Sequence, residues 1–154
     1  MQANTIDEVI HELDKILEWS REHNSRVGYF TALYRKVTIQ VKEDILAGRF
    51  EDNERMERLD VIFANRYLAA FDAYQAGNPV TEVWQVAFDA APRWRPIVLQ
   101  HLLIGMNAHI NLDLGIAAAT VAPGEQLATL ENDFNQINTV LAGVPSFTRK
   151  VAGR

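Results

Sequence analysis

Apolar residues recur at helical spacing along nearly the whole chain, in runs separated by glycine, proline or a capping residue. Ile6, Val9, Ile10, Leu13, Ile16 and Leu17 form the first stripe, opened by Thr5 with Glu8 three residues on, the signature of a capping box. That stripe fades near His23 and Asn24. Ser25 is placed to cap a second helix whose inner stripe is Phe30, Tyr34, Val37, Val41 and Ile45, with Gly48 as its stop. A third helix opens near Asn53, carries Leu59, Ile62, Phe63, Tyr67, Phe71 and Tyr74, and ends at Gly77, Asn78 and Pro79. Thr81 and Glu82 start a shorter helix with Val83, Val86 and Ala87 inside. Pro92 and Pro96 bracket a turn, and Pro96 suits the first turn of a fifth helix that runs to Val121. Pro123 and Gly124 break the chain. Leu127, Leu130, Phe134, Ile137 and Leu141 then trace a last helix, closed by Pro145.

The chain shows no strand-type alternation, no internal repeat and no low-complexity linker. The predicted fold is all-α: a single-domain bundle of five or six helices over residues 1–154, packed around the apolar fifth helix, with 143–154 as a tail.

The fifth helix departs from its own pattern. His101, Asn107, His109, Asn111 and Asp113 interrupt an otherwise aliphatic run. At about 100° per residue, His101, Gly105, His109 and Asp113 share one face, while Asn107 and Asn111 fall together on another. Both faces are expected to be buried. A buried polar group without a partner costs roughly 1–3 kcal/mol, so a row of them is more than a core needs. His109 and Asp113, one turn apart, can hydrogen-bond each other or reach one divalent metal. Gly105 leaves room for a ligand or another helix. Three readings stay open for the pair: a metal site, a metal-free polar site, or a structural network.

Other helices must supply further groups. Asp60 lies on the aromatic stripe of the third helix and faces inward, where a carboxylate needs a cation, a metal or several donors; Arg35 and Arg66 are the candidate partners. Tyr34 and Thr38, one turn apart on the second helix, are placed to send hydroxyls toward the same core, each with a satisfied core hydroxyl as the plainer account. Tyr67 is expected in the core with its tip in water. His11 and His23 face solvent; Trp19, Trp84 and Trp94 are packing residues.

Composition narrows the function classes. The 154 residues are 48% hydrophobic and 23% charged, ordinary globular usage. A net charge of -5 argues against nucleic acid and against an anionic membrane surface as partners. The absence of cysteine excludes disulfides and thiolate chemistry. The acidic N-terminal region has no signal-peptide pattern, so a cytoplasmic protein is expected. Ile97 to Val121 is long enough for a membrane span, but its ionisable residues favour a buried helix in a soluble core. There is no phosphate loop, GxSxG, HExxH or EF-hand pattern. A homodimer is the commonest assembly for such a chain, although no self-complementary patch stands out.

The segments YFTALYRKVT, RMERLDVIFANRYLAAF and LLIGMNAHINLDL resemble those of a bacterial and fungal family of unknown function, DUF5995, and DFNQINTVL looks like a further match. The first three, with their spacing, cover most of the chain from Tyr29 to Asp113. The residues matching the motifs are Tyr34, Arg35, Thr38, Asp60, Arg66, Tyr67, Asn107, His109, Asn111 and Asp113. The resemblance implies a helical domain with a polar site and names no activity. A more distant similarity, to helical zinc-dependent phospholipases and nucleases, rests on the His-xxx-Asp pair. Their second histidine after the aspartate and their N-terminal tryptophan ligand are absent here.

The functional expectation is an enzyme acting on a small, largely apolar substrate. His109 would be its acid/base, with Asp113 and Asp60 as partners and with Tyr34, Arg35, Thr38, Arg66, Tyr67, His101, Asn107 and Asn111 lining the site. A divalent metal on His109 and Asp113 is the candidate cofactor. The alternatives are a ligand-binding protein without chemistry and a structural or interaction domain whose network fixes helix register.

Overall fold

The computed structural model describes residues 1–93 and 98–142, apart from the side chains of Leu99, Asn111, Leu141 and Ala142. Trp94, Pro96, Pro145 and the tail at 143–154 lie outside the described residues. Within them the order is α1 (Ile6–Glu22), α2 (Val27–Leu46), α3 (Asn53–Gln75), α4 (Glu82–Ala90), α5 (Val98–Ala108), a π-helical segment (His109–Leu114), α6 (Gly115–Val121), a 3-10 segment (Gly124–Leu130) and α7 (Glu131–Ala142). No strand occurs among the described residues. Ala108 and Gly115 both keep right-handed helical dihedrals, so α5, the π segment and α6 form one continuous rod. The predicted all-α bundle is the fold found, with six rods among the described residues.

Local chemistry explains most boundaries. Thr5 Oγ1 accepts the Glu8 amide at 3.2 Å. The Glu8 carboxylate takes the Asn4 amide instead of returning to Thr5, so the capping box is half made. Asp52 caps α3 by accepting the Arg55 amide at 2.9 Å. At α2 the N-cap is Arg26, without a side-chain cap. Ser25 Oγ takes only the Val27 amide at 3.4 Å. Gly48 and Gly77 follow α2 and α3 at φ of 65° and 70°, where other residues are strained.

The core has two joined halves. One is aromatic, built on Phe30, Tyr34, Tyr67, Phe71, Trp84 and Phe88. The other is aliphatic, built on Val37, Val41, Met56, Leu59, Ala118 and Leu130. Fully burying side chains such as Leu13, Leu59 or Leu68 contributes about 1.5–3 kcal/mol each. Asp133 ties α7 to the start of α3 by accepting the Glu51 amide at 2.7 Å and Arg55 at 3.1 Å.

Three expectations about burial are corrected. In α4, Trp84 and Phe88 are buried, while Val83 and Val86 are 40% and 54% exposed; the larger aromatic surfaces win the inner face. The fifth rod is not enclosed all round: Leu103, Asn107 and Ile116 are exposed. Its aliphatic composition hid an outward face, and α3, packed on α1, α2, α4, α6 and the π segment, is the more central element. Tyr67 has no wet tip, being fully buried with its hydroxyl 2.7 Å from Thr31 Oγ1. The stretch Gln100–Val121 is long and apolar enough to cross a membrane by length and composition. Here it buries His109 and Asp113.

Gly105 is the point of closest approach between the fifth rod and α2. A Cβ there would lie 2.6 Å from Phe30 Cγ and Cδ2, and Phe30 is pinned edge-on against Tyr67 and Trp84. The space that a side chain at Gly105 would take is therefore held by Phe30 of α2. Gly105→Ala should lower stability by about 1–3 kcal/mol through overpacking, although alanine is the better helix former. Urea unfolding measures this, and a stabilised variant would show that Phe30 is free to move.

Candidate functional site

The site begins with a helical irregularity. His109 opens the π segment and Asp113 lies within it; such single-turn π segments are frequent at functional sites. His109 lies flat on Phe63, ring centroids 3.5 Å apart and planes 8° apart, and meets the Tyr34 ring nearly at right angles at 4.6 Å. Its Nδ1 is 3.3 Å from Asp113 Oδ2. Asp113 is almost fully buried. The same Oδ2 accepts the Trp84 indole N–H at 2.9 Å, and Oδ1 accepts Arg66 Nε at 2.6 Å.

These contacts set the charges. Burial pushes Asp113 up, but hydrogen bonds from His109, Arg66 and Trp84 outweigh it and leave the carboxyl below its usual value. Burial lowers the pKa of His109, against the opposing pull of Asp113, so the imidazole is neutral at neutral pH. An ionised carboxylate only accepts. Nδ1 therefore carries the proton, and Nε2 presents a lone pair.

In front of His109 lies a cavity of about 70 Å³, lined by residues of α2, α3, the fifth rod and α7. On the same measure one water needs about 10–15 Å³, so the cavity takes the bulk of several waters. Among the described residues its lining is apolar apart from Tyr34, Asp60 and His109. Tyr34 Oη, Asp60 Oδ2 and His109 Nε2 are all buried and have no hydrogen-bond partner among the described residues. Burial, reinforced by Glu57, raises Asp60 to about 7. Burial, reinforced by Asp60 and Asp113, holds the Tyr34 hydroxyl well above its ordinary value, so it stays protonated.

A family model described as a family of unknown function (DUF5995) matches residues 6–152. The chain belongs to the DUF5995 family. No curated protein and no solved structure matches it.

In this DUF5995 chain the structure brings Tyr34, Asp60 and His109 to one cavity, with Asp113 bonded to His109 but outside the cavity lining. Arg66 is paired with Asp113, not Asp60. Arg35 is on the surface, holding Asp14 through Nε and Nη2 at 2.6 and 3.1 Å. Neither arginine neutralises Asp60, which is held near protonation instead. Thr38 donates to the Tyr34 carbonyl at 3.0 Å and is a satisfied core hydroxyl. Tyr67 and His101 line a second, smaller cavity of about 20 Å³, together with Gly105. Asn107 is exposed, opposite the buried face, and the Asn111 side chain lies outside the described residues.

The donor set does not fit a divalent metal. Among the described residues no group of three or more His, Asp or Glu side chains is placed to hold one. The Asp113 oxygens are taken by Arg66, Trp84 and His109, with a guanidinium where a cation would approach. Two contributors escaped the sequence reading. Trp84 does more than pack: a buried indole N–H needs an acceptor, Asp113 is a buried acceptor, and that match of donor to acceptor is the signal in the sequence. Phe63, the stacking platform, carried no polar signal.

Proposed function

We propose that this protein is an acid–base catalyst acting on a small, mostly apolar carbonyl compound. The observation that carries this reading is that Tyr34, Asp60 and His109 line one otherwise apolar cavity and each buries a polar atom that has no partner among the described residues, His109 being bonded from behind by a buried carboxylate. An imidazole with its proton on the Asp113 side is a base at Nε2. Asp60, with a pKa near 7, and the protonated Tyr34 hydroxyl are acids in the same space.

The step this arrangement fits is enolisation. Nε2 takes a proton from the carbon beside the carbonyl as that C–H bond breaks. The electron pair becomes the C=C bond, and the carbonyl oxygen accepts the Asp60 proton while the Tyr34 hydroxyl hydrogen-bonds to it. Return of the protons in the reverse sense regenerates both groups. Asp113 stabilises the transient imidazolium, and Arg66 and Trp84 hold Asp113 in place.

Deuterium uptake at the carbons beside the carbonyl of 2-octanone in D₂O, followed by NMR, tests this directly. The protein should accelerate uptake over buffer, and His109→Gln should remove about a hundredfold of that acceleration with helix content unchanged. Uptake no faster than in buffer would refute catalysis. A fall in melting temperature alone would mark the network as structural.

A further inference from the structure

The cavity is more than a space beside His109: its chemistry changes along its length. On α2 its lining runs from Phe30 through Tyr34 and Val37 to Val41, residues spread over three turns of the helix. At the Phe30 end the walls are aromatic, with His109 stacked on Phe63 and meeting Tyr34 edge-on. Toward Val41 they are aliphatic: Leu59 and Ile137 pack in the same half of the core as Val37 and Val41. The cavity thus crosses the join between the two halves of the core.

Its edge is also apolar. Met106, Ile110 and Leu114 lie four residues apart along the fifth rod, and all three are half-buried, as is Ile137 across from them on α7. Among the described residues no lysine or arginine is in the lining. Arg66, beside His109, is committed to Asp113. An anionic head would meet Asp60 and Tyr34 with no cation to compensate it, and a buried uncompensated charge is strongly disfavoured.

We propose that the cavity is a slot for an unbranched aliphatic chain bearing one uncharged oxygen function, with the oxygen end against Tyr34 and His109 and the chain running past Val37 and Val41 toward α7. This rests on the acid–base reading only for the placement of the head. Shape and charge of the lining carry the rest.

Calorimetric titration of the full chain with three eight-carbon probes at pH 8 tests it: 2-octanone, octanoate and cyclooctanone. The slot should bind 2-octanone at least about tenfold more tightly than octanoate, because the carboxylate lacks a cation. It should also bind 2-octanone more tightly than cyclooctanone, whose compact ring cannot extend along three turns. Ile137→Trp, at the half-buried aliphatic end, should weaken 2-octanone by about tenfold and leave butanone binding unchanged; Leu114→Trp should weaken 2-octanone from the fifth rod. Equal or tighter binding of octanoate or cyclooctanone, no detectable binding of 2-octanone, or indifference of 2-octanone to both tryptophan variants would overturn the proposal. Tight binding of 2-octanone without deuterium uptake would remove the catalytic reading and leave the slot. Uptake without a preference for the linear, uncharged probe would do the reverse.

Discussion

Asp60→Asn should make the protein more stable at pH 8 and no more stable at pH 5. In the folded chain burial raises the Asp60 carboxyl from an ordinary 3.8 to about 7. Between those values the native state binds the proton and the unfolded state does not, so stability falls as pH rises through that window and levels off above it. Three units at about 1.4 kcal/mol each set an upper bound of about 4 kcal/mol. Asparagine keeps the shape without the charge. Its amide leaves a buried donor to satisfy, which costs roughly 1–3 kcal/mol, so the net gain at pH 8 should be about 2 kcal/mol. His109 and Asp113 contribute opposite slopes, because both have lowered values in the fold and lose stability as pH falls. Those slopes are common to both proteins and cancel in the difference. Urea unfolding at the two pH values gives the answer, and a variant less stable than the parent at both would mean that Asp60 is charged and compensated.

The second large effect belongs to Asp113→Ala. Its carboxylate accepts from three side chains. Arg66 is one-third exposed and can turn to water, but the Trp84 indole N–H and the His109 Nδ1–H are buried and would have no acceptor. Two such donors at roughly 1–3 kcal/mol each predict a loss of about 3 kcal/mol. The imidazole would also lose the group that fixes its tautomer, so deuterium uptake into 2-octanone should fall as well. Trp84→Phe removes only one donor and should cost about 1 kcal/mol. A loss below that level for Asp113→Ala would show that the network does not hold the rod in place.

Helix order was legible because each rod carries its own punctuation. Thr5, Asp52, Gly48 and Gly77 act at or within a residue of the expected boundaries. Asp60, His109 and Asp113 were legible for a different reason: ionisable groups in apolar stripes must be accounted for wherever they fall. Pairing was not legible. Arg35 and Arg66 are equivalent as sequence, and only the folded geometry sends one to Asp14 and the other to Asp113. Asn107 misled because an aliphatic run was read as buried all round, whereas this rod turns Leu103 and Asn107 outward. The π segment was invisible to a wheel built on 3.6 residues per turn. In α4 the choice between a valine face and a Trp84–Phe88 face depended on what α3 and the fifth rod offered opposite it.

His109 should be a neutral base with its proton on Nδ1, facing Asp113, and its lone pair on Nε2. Long-range ¹H–¹⁵N NMR on histidine-labelled protein reads this state directly, with His109→Gln assigning the signal among the four histidines. The account predicts a neutral, Nδ1-protonated ring at pH 7 that stays neutral below the ordinary histidine range, with Nε2 shifting on addition of 2-octanone. A ring that is charged at pH 7, or that carries its proton on Nε2, would contradict it.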